Sequence, residues 1–80
     1  MNLDEFEKLP SDQQYYITFT QGHFITTVIE GHIKKVLYEV FLFYTEVSYD
    51  SYQNKVIHIN SFDEGDLLTK NARFISNELK

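Results

Sequence analysis

The chain of 80 residues has no cysteine, no tryptophan, one proline and three glycines. Without cysteine it forms no disulfide and offers no thiolate to a metal ion. Its longest unbroken apolar run is Val40–Tyr44, far short of the roughly 20 residues that a membrane-spanning helix needs. The first residues lack the basic and apolar regions of a signal peptide. These absences predict a cytoplasmic protein that does not enter a membrane.

Basic residues are also scarce. The chain has seven Lys and Arg against twelve Asp and Glu, which gives a net charge of −5. Polyanions are bound through lysine and arginine contacts to phosphate, and here the basic residues stand singly or in one pair. The overall field repels nucleic acid and anionic lipid. We therefore expect no nucleic-acid partner, even though exposed aromatic side chains on a sheet are one way to stack single-stranded bases.

Aromatic residues are plentiful, with six Tyr and seven Phe. A small domain needs large side chains to build a core, and each ring buries roughly 150–250 Å². Tyrosine is also favoured at interfaces, so part of this set is equally well suited to a contact surface. Composition alone leaves both interpretations open.

The order of signals along the chain predicts a single α+β domain over residues 1–80. We expect short N-terminal helices, a four-stranded antiparallel β-meander and a short C-terminal helix. Residues 13–20 are rich in strand formers, but Ser11 with Gln14 fits a capping box and Gly22 fits a left-handed helix end. These end signals favour a helix over residues 11–21, after a first helical piece at residues 3–8.

The strands are expected over residues 23–29, 32–40, 43–49 and 56–62. A hairpin loop at residues 50–55 separates the last two, with Asn54 in a left-handed conformation. Asp66 is placed to cap a short helix that begins at Leu67. The tail beyond Phe74 is expected to be short helix or coil.

A frame of residues spread over most of the chain resembles a family of small uncharacterised bacterial proteins. The frame is Phe6-x-x-Leu9-Pro10-x-x-x-Gln14, Gly22, Leu37-Tyr38, Phe43-Tyr44-x-Glu46-Val47-x-Tyr49, Asn54 and Phe62-x-x-x-Asp66-Leu67-Leu68. The resemblance implies helix for residues 11–21 and implies no activity. The chain departs from the family at Val40-Phe41-Leu42, where a polar or glycine turn is usual, and this departure argues against a tight turn there.

Apolar residues occur on both predicted faces of the sheet. If Asp50 lies opposite Lys55, then Tyr49 faces Val56, Val47 faces His58 and Glu46 faces Ile59. One face is then the better core candidate, and its members are Phe43, Thr45, Val47, Tyr49, Val56, His58, Asn60 and Phe62. The other face still carries Tyr44, Ile57 and Ile59, whereas a sheet with one wet face alternates more sharply.

Short helices have too little surface to cover both faces, and an uncovered apolar area usually marks a partner surface. The sequence therefore predicts a small non-catalytic interaction module that binds a second copy, as a homodimer, or another protein. The candidate interface residues are Val40, Phe41, Leu42, Tyr44, Ile57 and Ile59.

The alternative is a small-molecule binder or minor enzyme with a cleft between helices and sheet, lined by tyrosine and His58. If such a site exists, His58 with Tyr49 or Glu46 is the pair of interest. The histidines lack metal-site spacing, and the acids around Gly65 miss the Ca²⁺-loop pattern. No phosphate loop or nucleophile elbow occurs. We therefore assign no catalytic residue, metal ligand or cofactor.

Overall fold

A computed structural model of the chain describes residues 1–69. Its helices are α1 (Leu3–Glu7), α2 (Ser11–Gln21) and α3 (Glu64–Thr69), and its strands are β1 (His23–Glu30), β2 (Ile33–Val40), β3 (Phe43–Asp50) and β4 (Lys55–Phe62). The predicted α+β arrangement is confirmed, and residues 11–21 form a helix as expected. The prediction for the tail beyond Phe74 lies outside the described residues.

The helix ends differ in detail from the sequence prediction. The capping box lies at α1, where the Asn2 side chain accepts from the Glu5 N–H and the Glu5 carboxylate accepts from the Asn2 N–H. The N-cap of α2 is Pro10, and no side chain bonds to the cap there. The Gln14 side-chain amide instead donates to the backbone oxygens of Phe6 and Leu9, at 3.2 and 3.1 Å. The predicted Ser11 capping box is wrong, and Gln14 joins α2 to the end of α1.

Gly22 ends α2, but in an extended conformation with φ −81° and ψ 153°. The predicted left-handed end is therefore wrong. A side chain at this position would place its Cβ only 2.4 Å from the carbonyl oxygen of Thr18. Glycine is needed here because the backbone of the previous turn approaches so closely.

The four strands form one antiparallel sheet in the order β1-β2-β3-β4. Two-residue turns join β1 to β2 and β2 to β3, and Gly31 and Phe41 have positive φ there, at 65° and 54°. The tight turn at Phe41–Leu42 thus forms without glycine, contrary to the expectation from the departure noted above. Asn54, in the last loop, has φ 56° and takes the predicted left-handed conformation.

The register between β3 and β4 follows the prediction for two pairs and then changes. Asp50 pairs with Lys55 and Tyr49 with Val56, as expected, but Ser48 then pairs with His58. The skipped residue is Ile57, which forms a β-bulge. One extra residue moves every following side chain to the other face. Val47 therefore pairs with Ile59, and the predicted pairs Val47–His58 and Glu46–Ile59 are wrong.

Helices pack on both faces of the sheet. On the N-terminal face, which carries α1 and α2, Phe6, Val40 and Phe43 form a buried cluster, with partly buried Leu3, Leu9, Ile17, Tyr38 and Ile59 around it. On the C-terminal face, Leu37 and Phe62 form a second cluster with Ile25, Val28, Tyr44 and Leu67, the last of these from α3. The domain therefore has a small core on each side of the sheet.

Candidate functional site

The six residues predicted as an interface lie in several parts of the molecule. Val40 is fully buried and Ile59 packs against the same cluster, so neither provides a free surface. Tyr44 lies on the C-terminal face and stacks on Phe62 with ring centroids 6.1 Å apart. Burial raises the pKa of Tyr44, and the neighbouring charges of Glu39 and Glu64 raise it further. These three side chains pack mainly against other residues of the same chain.

The other three candidates are exposed but lie apart. Phe41 and Leu42 form the β2–β3 turn, and Leu42 is 94% exposed. Ile57 is the bulged residue near the opposite end of β4. The sheet length separates the turn from the bulge, so the structure does not unite the predicted candidates in one surface.

The bulge also decides where His58 lies. His58 pairs with Ser48, which places it on the C-terminal face with Glu46 and on the opposite side from Tyr49. Glu46 is only 5% exposed, whereas His58 is exposed. The β-bulge places Glu46 and His58 on the same face of the sheet. The space beneath α1 and α2, however, lies on the other face. His58 therefore does not line a cleft between those helices and the sheet.

That space is filled by side chains. Phe6, Val40, Thr18 and Thr45 are all fully buried there, and the two threonine hydroxyls are hydrogen-bonded at 3.3 Å. Within residues 1–69, no group of three or more His, Asp or Glu side chains is placed to hold a metal ion.

The loops at one end of the sheet form a polar cluster. The Asp50 carboxylate accepts from the backbone N–H groups of Tyr52 and Gln53, at 2.9 and 3.2 Å. The His32 ring stacks on Tyr52 at 4.4 Å, and its Nε2 lies 3.9 Å from Asp50 Oδ2. The Ser51 hydroxyl donates to the backbone oxygen of His32 rather than to its ring. Ser51 and His32 are therefore not arranged as a nucleophile and its general base. Its contacts tie the β1–β2 turn to the β3–β4 loop.

Next to these loops, no helix of residues 1–69 covers the N-terminal face of the sheet. Pairing across the four strands places six residues together there, and we call them the open strip: Ile29, Lys34, Val36, Val47, Tyr49 and Val56. Ile29 is 71% exposed and Val56 is 40% exposed. The sequence predicted uncovered apolar surface on the opposite face, around Tyr44, Ile57 and Ile59, whereas the strip lies on the face that was assigned to the core.

The open strip is shallow, and its residues are held in place by contacts within the chain. A depression of about 300 Å³ runs along it, bordered by Phe19 of α2. Val47 is buried at its floor, 3% exposed. The Tyr49 hydroxyl donates to the Asn54 side chain, which holds the ring at the edge of the depression. Both the floor and the edge are therefore held in place by contacts within the chain.

One side of α2 faces the same region, and this helix carries several aromatic rings and only one charge. Phe19 stacks on Tyr15 and meets the edge of Tyr38, with centroid distances of 6.1 and 6.0 Å. Burial raises the pKa of Tyr15. Tyr16 is 68% exposed. The helix has eleven residues, of which Asp12 alone is charged, whereas a helix on a wet surface usually has a charged outer side.

The charge of the open strip is positive in an acidic chain. Lys34 is exposed, and within the described residues no ion pair involves it. Its neighbour Lys35 points to the other face and pairs with Glu30 at 2.9 Å. The strip therefore offers an apolar floor and one available cation.

The lengths of the predicted helices and strands indicate that part of this face is uncovered. The helix assigned to residues 11–21 is a single element, and strands of eight residues are about 26 Å long. A helix is about 10 Å wide, and the other N-terminal piece, predicted at residues 3–8, is less than two turns long. Length arithmetic would have placed part of the core-assigned face in the open.

No protein-family model, curated protein or solved structure matches this chain. No helix among the described residues is long and apolar enough to cross a membrane.

Proposed function

We propose that this protein is a non-catalytic protein-interaction module that binds a helix of a protein in the open strip. The observation that carries the proposal is the exposed apolar surface beside α2, where Ile29 and Val56 are 71% and 40% exposed. Eight-residue strands are about 26 Å long, α2 crosses them from β2 to β4, and a helix is about 10 Å across. Helix α1 packs on the same face at the Phe43 end, and the surface that both helices leave at the other end is the open strip.

The chemistry of the strip supports the same kind of occupant. Its valines and Tyr49 provide an apolar floor, bordered by Phe19. A helix with apolar residues along one side would cover the exposed Ile29 and Val56 beside that floor, as in helix-in-groove recognition. Lys34 favours an acidic residue at the edge of the bound helix. The resemblance to small bacterial proteins and the cytoplasmic location belong to this proposal and add no activity to it.

The small-molecule alternative has less support. The residues between helices and sheet are buried core, and the depression in the strip is open and shallow rather than a pocket that encloses a ligand. We therefore do not propose an enzyme, a cofactor or a nucleic-acid partner.

Site-specific photo-crosslinking in living cells tests the proposal. A photoreactive phenylalanine analogue at Val56 stands in the strip, and the same analogue at Leu42 stands at the far end of the sheet as the matched control. We expect a defined covalent adduct with a protein, identified by mass spectrometry, from position 56 and none from position 42. No adduct at position 56, or adducts at position 42 alone, would contradict the proposal.

A further inference from the structure

The strands of the sheet differ in how regularly they pair. The inner strands β2 and β3 pair over all eight of their residues without a break. In the sheet formed by residues 1–69, β1 and β4 are the edges, and each carries one extra residue, Ile25 in β1 and Ile57 in β4. We infer that the bulge at Ile57 prevents the outer edge of β4 from pairing with a strand of another molecule. This role goes beyond the proposed function, because it concerns the backbone edge rather than the open strip.

The side chains of β4 give its edge little other protection. An edge strand exposes N–H and C=O groups that can pair with another strand, and proteins commonly protect such edges with lysine, proline or a bulge. The only charged side chain of β4 is that of Lys55, at its first position, and the strand has no proline. Val56 and Ile57, which follow, are apolar and exposed. Beyond Lys55, the bulge is therefore the feature that interrupts the edge.

The bulge also shortens the regular part of this edge. A regular strand presents its outward backbone groups at every second residue, and one extra residue breaks that alternation and bends the strand. The longest regular run is then His58–Phe62, about 17 Å long. Near the end of that run, the Ser61 hydroxyl donates to the Glu7 carboxylate of α1 at 3.0 Å. A short edge with a helix beside it is a poor template for a second strand.

Deleting Ile57 isolates the effect of the bulge on the edge. Val56 pairs with Tyr49. His58 pairs with Ser48, the neighbour of Tyr49 in β3. Without Ile57, Val56 and His58 become neighbours too, so every pair and every side-chain face is kept. Ile57 belongs to neither buried cluster, and its removal joins β4 into one regular strand about 23 Å long.

Light scattering of the full chain over a range of concentrations tests the inference, with circular dichroism to verify folding. We expect deletion of Ile57 to give a folded protein whose mean mass rises at least about twofold over that of the original chain. Hydrogen exchange should then show new protection of the outward amides of β4. Ile57→Ala is the matched control, because it removes the exposed side chain and keeps the extra residue. We expect it to have the mass of the original chain.

Two lysines on the same strand separate edge pairing from a general loss of solubility. His58 and Asn60 are exposed and lie on the C-terminal face. Charged side chains on an edge strand oppose its pairing with another strand. The deletion combined with His58→Lys and Asn60→Lys should therefore return the protein to the mass of the original chain.

Four results would overturn the inference. One is a folded deletion variant with the mass and exchange pattern of the original chain, and another is an Ile57→Ala variant that associates equally. Association that the two lysines fail to reverse would show that it does not depend on the edge. An unfolded deletion variant would show that the extra residue is needed for folding rather than for protection of the edge.

Discussion

Truncation of Phe6 is expected to remove a large part of the free energy of unfolding of the domain. Phe6 lies in α1, a helix of five residues, which is too short to be stable alone. Its ring is fully buried, with its centroid 5.0 Å from that of Phe43. Burying about 150 Å² of such a ring contributes about 4 kcal/mol at about 25 cal/mol per Å². Core Phe→Ala changes cost about 3–5 kcal/mol, which agrees.

That loss is large against the total. A domain of 80 residues is expected to have a free energy of unfolding of about 4–12 kcal/mol. Phe6→Ala should therefore remove about a third or more of it, whereas Phe6→Leu should cost about 1 kcal/mol because most of the volume remains. Urea unfolding followed by circular dichroism measures both, and each kcal/mol should also lower the melting temperature by about 4–8 °C.

Phe24→Ala is the matched control, since Phe24 is 63% exposed on β1. We expect it to cost about 1 kcal/mol or less. If Phe6→Ala cost no more than Phe24→Ala, α1 would not be docked on the sheet as described. The reasoning from burial to stability would then fail for this helix.

Three further predictions concern the backbone and one tyrosine. Gly22→Ala should lower the free energy of unfolding by about 1–3 kcal/mol, because the new Cβ would lie 2.4 Å from the Thr18 carbonyl oxygen; an unchanged urea midpoint would contradict this. Asn54→Ala should cost about 1 kcal/mol, because φ is 56° there, while Asn54→Gly should cost less; equal losses would show that conformation is not the cause. Burial is the main cause of the raised pKa of Tyr44, so the folded state holds the phenol proton more tightly than the unfolded chain. Stability should therefore fall as the pH rises above 10. Tyr44→Phe should reduce that fall in urea titrations at neutral and alkaline pH, and an identical fall in both proteins would refute the assignment.

The element order was predictable because its signals are local. Polar loop residues and strand formers alternate along residues 23–62, and the meander follows from them. The choice of helix for residues 11–21 was correct, although the cap predicted at Ser11 is absent. Gly22 ends α2 as the sequence predicted, but in an extended rather than a left-handed conformation, close against the Thr18 carbonyl of the previous turn.

The candidate site was less predictable, and a single residue explains why. A bulge at Ile57 reverses the faces of all later residues in β4. Ile59 thereby entered the core that the sequence assigned to His58, and the predicted interface lost its central members. The prediction of uncovered apolar surface on the opposite face depended on that register, and the exposed Ile29 and Val56 of the open strip lie on the face assigned to the core.

The sheet also constrains the order in which the chain can assemble. Each strand pairs with its neighbour in sequence through a loop of two, two or four residues, so only short closures are needed and their entropy cost is low. Helix α2 precedes every strand, yet it rests on both β2 and β4. The complete site where it docks therefore forms only when β4 has joined the sheet. Helix α2 is synthesised before every strand, but it can make all its contacts with the sheet only at that point.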